Sequence, residues 1–369
     1  MKVLFLLENA GGGGAESFVS TLAGEYVKRG HSCVLCCSRD GWLSDALESS
    51  GIETVKTGLG RKDFFSSASE LSDLCREKGI GIIHAQFPRE NVLAVRAAQR
   101  CPGVKVVYTD HMSIPQGIKW RMLNRYYCKR NEFVAAVWEG GRSVLIGNGV
   151  PKDKIRVIPN GVRQVFPEGT EFSSVACTKA DAAGRLRKRY GIPEESFVLC
   201  SLMRLSSEKG PDVLLEALAG LKHGKQFCCI IGGGGPMERT LFERAEKLGV
   251  SGQVIFAGRI DGDEKKDLLL GSDLYVSSSR SEAMSMAVLE AMACALPQVL
   301  TRTGAAEELG CGVLVPPGDP KALAEALKNT IEDVELRRRL SELSLRTVSR
   351  QYSAERMADL YLSGGRDDR

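Results

Sequence analysis

Two glutamates and two basic residues in the second half of the chain have the types and spacing of a nucleotide-binding site. Glu282 and Glu290 are separated by seven residues, across a loop that leads into a predicted helix. A glycine-rich turn, Gly232 to Gly235, and the cations Arg204 and Lys209 precede them. Carboxylates accept hydrogen bonds from ribose hydroxyls, and cations beside a helix start bind a diphosphate. The set predicts a site that holds a nucleotide by its ribose and its phosphates.

The two cations have a chemical use beyond binding. Arg204 ends a predicted strand, and Lys209 leads into a predicted helix five residues later. Negative charge grows on a diphosphate as a bond to it breaks, so fixed cations stabilise the transition state more than the ground state. The alternative interpretation is a solvated surface pair with no ligand.

The two glutamates do not have the spacing of a glycoside hydrolase pair, whose carboxyl groups lie about 5 to 9.5 Å apart. Eight helical residues rise about 12 Å and turn about 80° off the starting face, so Glu282 and Glu290 would not flank one bond. We expect Glu290 to accept hydrogen bonds from the ribose hydroxyls. Glu282 would accept a hydrogen bond from a hydroxyl of the group that is attached to the nucleotide. Amides that follow Glu282 would cap the diphosphate: Ala283, Met284, Ser285 and Met286. Two solvated helix glutamates are the alternative.

A second glycine run follows the first predicted strand and opens a helix. It reads Gly11 to Gly14, then Ala15 and Glu16. Glycines let a backbone approach a bound group, and a helix start favours an anion. A nicotinamide dinucleotide site, with Asp40 as its ribose acid, is an alternative, but the G-x-G-x-x-G spacing fails. A plain tight turn is the other alternative.

Two smaller motifs each have two interpretations. Asp261 and Asp263 flank Gly262 and would suit a divalent metal, but the following charged residues favour Asp263 as a helix N-cap and no metal site. His111 follows a predicted strand and would orient a substrate hydroxyl, assist proton transfer, or serve only a structural role. His84 is interpreted as structural.

Charge is uneven along the chain. Residues 1–163 carry 23 Lys and Arg against 16 Asp and Glu, a net of +7 within a total of +4. This predicts that the N-terminal half meets an anionic partner, such as a phosphorylated acceptor or a membrane surface. The stretch from Lys119 to Arg130 mixes basic and aromatic residues and would suit an interfacial helix on anionic lipid. The alternative is a surface helix with its aromatics in the core.

Composition is that of an ordinary globular protein. A chain of 369 residues usually makes two domains. No run approaches the length of a membrane span, and the apolar run Val3 to Leu7 is too short for a signal peptide, so we expect a cytoplasmic protein. Six of the twelve cysteines lie in apolar, strand-like runs (Cys33, Cys36, Cys37, Cys200, Cys228 and Cys229), and the cysteines are expected to be buried thiols. Cys33 and Cys36 form a C-x-x-C, and the alternative there is a redox or zinc pair.

Strand and helix patterns alternate along the chain, which predicts two doubly wound α/β domains in series. The first has strands at Val3–Leu7, Ser32–Cys37, Gly81–His84, Lys105–Thr109 and Arg156–Ile158, with helices at Ala15–Arg29 and Ser67–Lys78. The second has strands at Phe197–Met203, Phe227–Ile231, Val254–Ala257, Leu274–Ser277, Pro297–Leu300 and Gly312–Val315. Its helices are predicted at Pro211–Gly220, Met237–Leu248, Asp263–Leu270 and Ala287–Cys294.

The remaining segments are a predicted linker between the two domains and three predicted helices at the C-terminal end. Residues 163–185 are predicted to be an irregular linker, and helices are predicted at Lys321–Thr330, Glu335–Ser349 and Ala354–Leu362. Ligands of open parallel sheets bind beyond the carboxyl ends of the strands. We therefore expect the site in a cleft between the two domains.

Taken in order, these motifs resemble glycosyltransferase family 4, the retaining sugar transferases of the GT-B fold. The resemblance covers nearly the whole chain, and the glutamate motif with the Arg–Lys pair is its most specific part. The matching pieces are Gly13 to Glu16, His111, Ile158 to Val162, Arg204-Leu205, Lys209-Gly210, Gly233 to Pro236, Phe256 to Arg259, Glu282 to Ala293, Pro316 to Asp319, and the closing helix Tyr352 to Tyr361.

This resemblance implies a donor, a UDP- or GDP-sugar, and a metal-independent hexosyl transfer with no cofactor. It implies an acceptor-binding domain at residues 1–165, a nucleotide-sugar domain at 166–348, and a helix at 349–369 that crosses back to the first domain. Arg204 and Lys209 would bind the diphosphate, Glu290 the ribose and Glu282 the donor sugar, with Arg259 and Ile260 near the base. Gly13, Gly14 and Gly233 would contact the donor as well.

The resemblance also implies partners and leaves alternatives. The acceptor would be a sugar, a glycolipid or a small metabolite, in polysaccharide or glycolipid assembly, with no nucleic acid. Three departures make the donor harder to infer: Ala283 replaces a usual Gly, Gly304 to Glu307 replaces a Gly-Gly loop, and Gln86 stands where a second His is common. A catalytically silent sugar-nucleotide-binding protein and a nucleotide-sugar epimerase are the alternative functions.

Overall fold

The chain divides into two compact units, each with its own parallel sheet. The computed structural model describes residues 1–58, 64–167, 169–170, 172–221 and 226–366. The first unit comprises Met1–Gly161 together with the C-terminal segment from Ala354, and the second comprises Val162–Ser353.

Seven strands among the described residues of the first unit form one parallel sheet, in the order β3-β2-β1-β4-β5-β6-β7. Apolar and β-branched residues fill these strands because helices cover both faces of the sheet. The order reverses between β1 and β4, and ligands of such sheets bind where the order reverses. The strands are β1 (Lys2–Leu6), β2 (Ser32–Cys37), β3 (Glu53–Lys56), β4 (Ile82–Ala85), β5 (Lys105–Asp110), β6 (Phe133–Ala136) and β7 (Ile155–Val157).

Amphipathic helices connect the strands of this sheet. One of its cores joins the inner faces of the third and fourth helices to the strands, through residues such as Leu71, Leu93 and Ile83. The helices are α1 (Gly14–Lys28), α2 (Trp42–Glu48), α3 (Phe64–Lys78), α4 (Pro88–Ala98), α5 (Ile118–Tyr127) and α6 (Glu139–Gly147).

Six strands within the described part of the second unit form its parallel sheet, in the order β10-β9-β8-β11-β12-β13. Here the order reverses between β8 and β11. The residues that follow these two strands therefore meet at the edge where ligands bind. The strands are β8 (Phe197–Leu202), β9 (Phe227–Gly232), β10 (Val254–Gly258), β11 (Leu274–Ser277), β12 (Gln298–Thr301) and β13 (Val313–Val315).

The helices of the second unit cover both faces of its sheet and complete a core that includes Leu214, Val276 and Leu323. They are α7 (Phe172–Tyr190), α8 (Pro211–Ala219), α9 (Glu238–Leu248), α10 (Gly262–Gly271), α11 (Met286–Ala293), α12 (Ala306–Leu309), α13 (Pro320–Glu332) and α14 (Val334–Gln351).

The last helix, α15 (Ala354–Leu362), belongs to the first unit. It packs on α1, where Arg29 pairs with Asp359 at 3.1 Å. The Tyr361 hydroxyl lies 2.7 Å from Oγ1 of Thr109 at the end of β5. A buried hydrogen bond of this kind fixes how the helix sits on the sheet.

The predicted α/β architecture is confirmed, with boundaries that differ by a few residues. The prediction of an irregular linker at 163–185 is wrong, because α7 occupies most of it. This helix packs on α10, and Arg185 pairs with Asp267 at 2.6 Å. Strands β3 and β6 were not predicted. β3 (ETVK) has a charged residue at each end and no buried position, and β6 (FVAA) contains two alanines, which are depleted in strands.

The twelve cysteines all lie in the described ranges and are free thiols, ten of them buried. Burial raises the pKa of Cys36 to about 12, which keeps this thiol protonated. Across the described part of the chain, no helix has both the length and the apolar character needed to cross a bilayer.

Candidate functional site

Lys209 and Glu282 form the centre of the candidate site. Lys209 ends a 3-10 turn, Ser207–Lys209, between β8 and α8, and Glu282 lies between β11 and α11. The Lys209 ammonium lies 2.6 Å from Glu282 Oε1, and the Ser279 hydroxyl donates to the same oxygen at 3.0 Å. Both side chains are largely buried, at 26% and 16% exposure. Oε2 of Glu282 receives no hydrogen bond from the described residues and remains available to a hydroxyl donor.

Arg204 supplies a second cation at the same edge of the sheet. It follows β8, its side chain is exposed, and it forms no salt bridge with a residue that the structure describes. The pKa of Glu208 is lowered first by a hydrogen bond from Ser206, and the charges of Arg204 and Lys209 lower it further. This edge therefore carries two cations, Arg204 and Lys209, beside the carboxylates of Glu208 and Glu282.

The glycine turn after β9 packs closely against the residues that carry Arg204. A methyl group at Gly233 would overlap the carbonyl oxygen of Met203, and one at Gly235 would overlap that of Leu205. Leu205 N donates to Gly234 O at 3.0 Å, which joins the two loops. Gly233 has a φ of +133°, a conformation that favours glycine. Contact between these loops thus accounts for the glycines, while contact of Gly233 with a ligand stays a prediction.

Helix α11 positions the second glutamate. Ser285 is its N-cap and accepts a long hydrogen bond from Val288 N at 3.5 Å, so the predicted amides of Ala283 to Met286 lie at a helix start. Val288 and Leu289 on this helix are buried, and Glu290 follows them with a partly buried side chain. Its Oε1 lies 2.8 Å from Lys265 Nζ.

Lys265 is a site residue that the sequence did not reveal. It lies on α10, and its ion pair with Glu290 leaves the two side chains 22% and 21% exposed. In the sequence it belongs to a charge run, Glu264 to Asp267, which is typical of a solvated helix face. Only the packing of α10 beside α11 distinguishes Lys265 from its neighbours.

The predicted base-binding residues follow β10. Ile260 is buried against Gly232, and Arg259 is exposed and donates through Nε to Asp261 at 2.6 Å. The prediction that Asp263 caps the next helix is wrong. Asp261 is the N-cap of α10, because the helix begins at Gly262. The Asp261 side chain makes no capping bond, since Arg259 engages its carboxylate.

A small cavity of about 20 Å³, room for roughly one water molecule, lies beside Glu282. Its lining combines the hydroxyls of Ser285, Thr301 and Thr303 with the side chains of Ala283 and Ala305, among others. The cavity and the two glutamates belong entirely to the second unit.

His111 lies in the first unit, just after β5. Its Nε2 is 2.9 Å from Gln86 Oε1, and the Gln86 amide donates to the His84 carbonyl at 3.1 Å. The second bond orients the Gln86 amide, so Oε1 faces His111 and the imidazole donates from Nε2. Burial lowers the pKa of His111 to about 3, which keeps the ring neutral. A neutral ring favours the hydroxyl-orienting role over proton transfer.

His84 is fully buried in the first unit. Its Nε2 lies 2.8 Å from Thr109 Oγ1, the atom that also meets Tyr361. Burial, together with a smaller contribution from the neighbouring His111, lowers the pKa of His84 to about 3. The ring joins β4, β5 and α15, which is the structural role expected for it.

Gly13 and Gly14 are exposed residues at the start of α1. Gly13 is the N-cap, with extended backbone. Phe18, one turn into this helix, packs edge-on against His111, with ring centroids 4.8 Å apart. Asp40, the acid of the alternative dinucleotide site, pairs with Lys56. The structure thus places Gly13, Gly14 and His111 in the first unit and the other predicted site residues in the second.

Helix α5 carries the basic and aromatic stretch. Trp120 and Tyr127 pack toward the core, as in the alternative interpretation. Ile118, Met122 and Tyr126, four residues apart, are exposed at 71%, 68% and 54%. Exposed cations flank this apolar stripe: Lys119, Arg121, Arg125, Lys129 and Arg130.

Two protein-family models match the chain. "Glycosyltransferase Family 4" matches residues 12–164, and "Glycosyl transferases group 1" matches residues 183–345. The first covers most of the first unit and the second most of the second unit. Between them they contain the site residues named above, His111 in one and the glutamate motif in the other.

Individual relatives agree with these models. N-acetyl-alpha-D-glucosaminyl L-malate synthase of Bacillus anthracis is 24% identical over 80% of this chain and 76% of its own. D-inositol 3-phosphate glycosyltransferase of Corynebacterium jeikeium is 32% identical over 54% of this chain and 51% of its own.

Solved structures agree on the fold. Anabaena HepE, crystallised with UDP and glucose, has a TM-score of 0.84 at 22% identity, over 98% of both chains. A glycosyltransferase from Rickettsia africae has a TM-score of 0.81 at 22% identity, over 98% of this chain and 97% of its own. At this identity the likeness establishes the fold alone. With both family models matched in order, the chain belongs to glycosyltransferase family 4, the group 1 transferases of the GT-B fold.

Proposed function

We propose that the protein transfers a hexosyl group, with retention of configuration, from a UDP- or GDP-sugar to an acceptor hydroxyl. The observation that carries the proposal is the contact of Lys209 with Glu282 beside the exposed Arg204. This contact places a cation that can stabilise the leaving diphosphate next to a carboxylate that can bind the donor sugar. The helix with the ribose-binding candidate Glu290 begins four residues after Glu282.

Donor binding would use the charges at the carboxyl end of the sheet. The diphosphate binds Arg204, Lys209 and the amides of Ala283 to Met286, where a helix start adds partial positive charge. Glu290 accepts from the ribose hydroxyls, and Lys265 keeps that carboxylate oriented. Arg259 and Ile260 lie beside the base, and Gly13, Gly14 and Gly233 bring backbone close to the donor.

The reaction breaks the bond between the anomeric carbon and the diphosphate. Arg204 and Lys209 stabilise the charge that grows on the phosphate oxygens, and no metal is needed because these cations and the helix start supply the positive charge. Oε2 of Glu282 accepts a hydrogen bond from a hydroxyl of the donor sugar. The leaving phosphate takes the proton of the acceptor hydroxyl, which attacks from the same face and so retains the configuration.

His111 would orient a substrate hydroxyl. Its Nε2 is held by Gln86 and its ring is neutral, which leaves Nδ1 as a hydrogen-bond acceptor. A group with a pKa near 3 is a poor general base at neutral pH. Orientation rather than proton transfer is therefore the role that we assign to it.

We also propose that the acceptor is presented at an anionic surface, as in glycolipid or polysaccharide assembly. The support is α5, whose exposed stripe of Ile118, Met122 and Tyr126 is flanked by five exposed cations. An apolar stripe with basic flanks is typical of helices that lie in an anionic bilayer surface.

A panel of nucleotide sugars tests the proposal directly. Each donor is incubated with and without acceptors, and NMR follows the anomeric configuration of the product. Transfer with retention supports the proposal. Conversion of the donor without acceptor would identify an epimerase instead, and binding without turnover would identify a silent binding protein.

Two variants connect the activity to the site. K209A and E282A are expected to lower the turnover rate by about 100- to 1,000-fold, as losses of transition-state stabilisation do. The matched control is E243A, which removes an exposed glutamate from an ion pair on α9 in the same unit. Undiminished transfer by K209A or E282A would contradict the assignment.

A further inference from the structure

Lys209 and Glu282 lie on two separate segments, and the structure shows what joins them. The lysine segment, residues 206–212, leads from the end of β8 into the first two residues of α8. The glutamate segment, residues 278–285, lies between β11 and α11. Apart from the 3-10 turn Ser207–Lys209 and the start of α8, the segments are irregular and no strand pairing joins them, so the distance between them depends on side-chain and backbone hydrogen bonds.

Arg280 makes the most extensive contact between the segments. Its Nη1 donates to Asp212 Oδ1 at 2.8 Å and its Nη2 to Asp212 Oδ2 at 2.7 Å. Nη1 also donates to the carbonyl of Ser207 at 2.9 Å. A bidentate arginine–carboxylate pair fixes both distance and angle, which a lysine cannot do. The guanidinium thus holds both ends of the lysine segment.

Further hydrogen bonds to backbone carbonyls connect the same two segments. Arg280 N and Ser281 N both donate to the Glu208 carbonyl, at 2.8 and 3.2 Å. The Ser278 hydroxyl donates to the Gly210 carbonyl at 2.8 Å. Gly210 has a φ of +62°, and a methyl group there would overlap the Ser278 carbonyl oxygen. The two segments are therefore packed backbone against backbone on either side of Lys209.

We expect the Arg280–Asp212 contact to affect the positions of Lys209 and Glu282 more than the free energy of unfolding. The Arg280 and Asp212 side chains are 37% and 20% exposed, and ion pairs near the surface contribute little to folding. A shift of about 1 Å in a catalytic group, however, costs about 100-fold in rate. Lys209 lies three residues from Asp212, and Glu282 lies two residues from Arg280.

We propose that Arg280 and Asp212 are positioning residues for sugar transfer, which hold the Lys209 ammonium and the Glu282 carboxylate at the distance that the reaction requires. Neither side chain touches the donor in this account. The inference rests on the proposed function, because it concerns the geometry of the same site.

The test compares R280A with R185A in the transfer assay. Arg185 also makes a bidentate pair, with Asp267, but it joins α7 to α10 in the same unit and lies outside the two segments. R280A is expected to lower kcat about 100-fold with little change in the melting temperature, and R185A to leave kcat unchanged. Ethylguanidine added to R280A is expected to restore part of the activity, since it refills the vacated guanidinium position.

A double-mutant cycle separates positioning from general loss of structure. If Arg280 acts through Lys209, K209A costs much less in the R280A protein than in the wild type. In the R185A protein K209A keeps its full effect. If R280A fails to fold, D212N tests the other half of the pair, with the same expected loss and the same cycle.

The results that would overturn the positioning role differ from those that would overturn the proposed function. Wild-type protein that transfers no sugar contradicts the proposed function itself. Wild-type transfer combined with an undiminished kcat of R280A and D212N overturns only the positioning role. Additive effects of R280A and K209A, with no rescue by ethylguanidine, overturn it as well.

Discussion

The Lys209 ammonium lies 2.6 Å from the Glu282 carboxylate, although the two residues are 73 positions apart in the chain. The topology of the second sheet explains this meeting. Strands β8 and β11 are parallel neighbours at the point where the strand order reverses, and each residue follows one of them. A position of this kind is where open α/β sheets bind their ligands.

The glycine at position 304 should be essential for the geometry of Glu282. Its φ is +53°, and a methyl group there would overlap the carbonyl oxygens of Ala283 and Glu282. We expect G304A to displace the Glu282 loop and to lower both stability and transfer rate. The measurements are urea denaturation and the transfer assay.

Gly318 offers a matched control for this substitution. It too has a positive φ, +75°, but nothing lies within 4 Å of an added methyl group. G318A is expected to cost only the backbone strain, about 1–2 kcal/mol, and to leave the transfer rate unchanged. Equal transfer rates for G304A and G318A would contradict this account of Gly304.

The sequence predicts the α/β fold well because buried parallel strands and amphipathic helices differ in period and in apolar content. Every strand and helix named from the sequence is present. The errors fall where this signal is weak. Strand β6 contains two alanines, which are depleted in strands, and α7 begins in a stretch rich in Ser, Thr and Ala that is typical of a linker.

The site is predicted less completely than the fold. Glu282, Glu290 and Lys209 are identifiable because their types and spacing match a chemical task. Lys265 and Arg280 are not, because each belongs to a local charge pattern that surface residues share. Their partners, Glu290 and Asp212, are brought to them only by the sheet order.

The carboxylate of Glu290 should decide whether the site recognises ribose. We expect E290A to weaken binding of the preferred nucleoside diphosphate by about 10- to 100-fold, since hydrogen bonds to a charged group are lost. The variant should also no longer distinguish the ribonucleotide from its 2′,3′-dideoxy analogue. Calorimetric titration of both nucleotides measures this, with E243A as control. Unchanged discrimination by E290A would show that another group contacts the ribose.

Glu90 should make the stability of the first unit depend on pH. This carboxyl group accepts hydrogen bonds from the backbone N–H groups of Glu8, at 2.7 Å, and Gln86, at 3.3 Å. Burial raises its pKa to about 8. The folded pKa lies above the ordinary value of 4.5, so its stabilising effect is complete below pH 4.5 and is lost as the pH rises toward 8. The slope for one proton is about 1.4 kcal/mol per pH unit.

The matching experiment measures the free energy of unfolding of wild type and E90Q across this range. E90Q keeps a hydrogen-bond acceptor but cannot ionise, so the difference between the two proteins should change with pH by that slope. His84 and His111 also titrate differently on folding, but both proteins contain them, so their contribution cancels in the difference. Their lowered pKa values reduce stability only as the pH falls below about 6.5 toward 3. Parallel curves for wild type and E90Q would contradict the prediction.

Helix α5 should bind anionic bilayers in a salt-dependent manner. Replacing Lys119, Arg121 and Arg125 with glutamine removes three exposed cations beside the apolar stripe. We expect this variant to lose cosedimentation with anionic liposomes, because each basic residue near such a surface contributes about 1 kcal/mol. The control removes the same charge elsewhere in the first unit, at Lys28, Arg76 and Lys152. Equal binding of the wild type to neutral liposomes would exclude the electrostatic contribution.

The most direct test of the central claim is thermal unfolding with UDP, GDP, ADP, dTDP and NAD in the absence of added metal. A ligand at 100 times its Kd adds about 2.7 kcal/mol of stability, which raises the melting temperature by several degrees. We predict that one nucleoside diphosphate shifts the wild type selectively and that K209A loses the shift. No shift with any nucleotide, or a shift with NAD alone, would contradict the nucleotide-sugar site built on Lys209, Glu282 and Glu290.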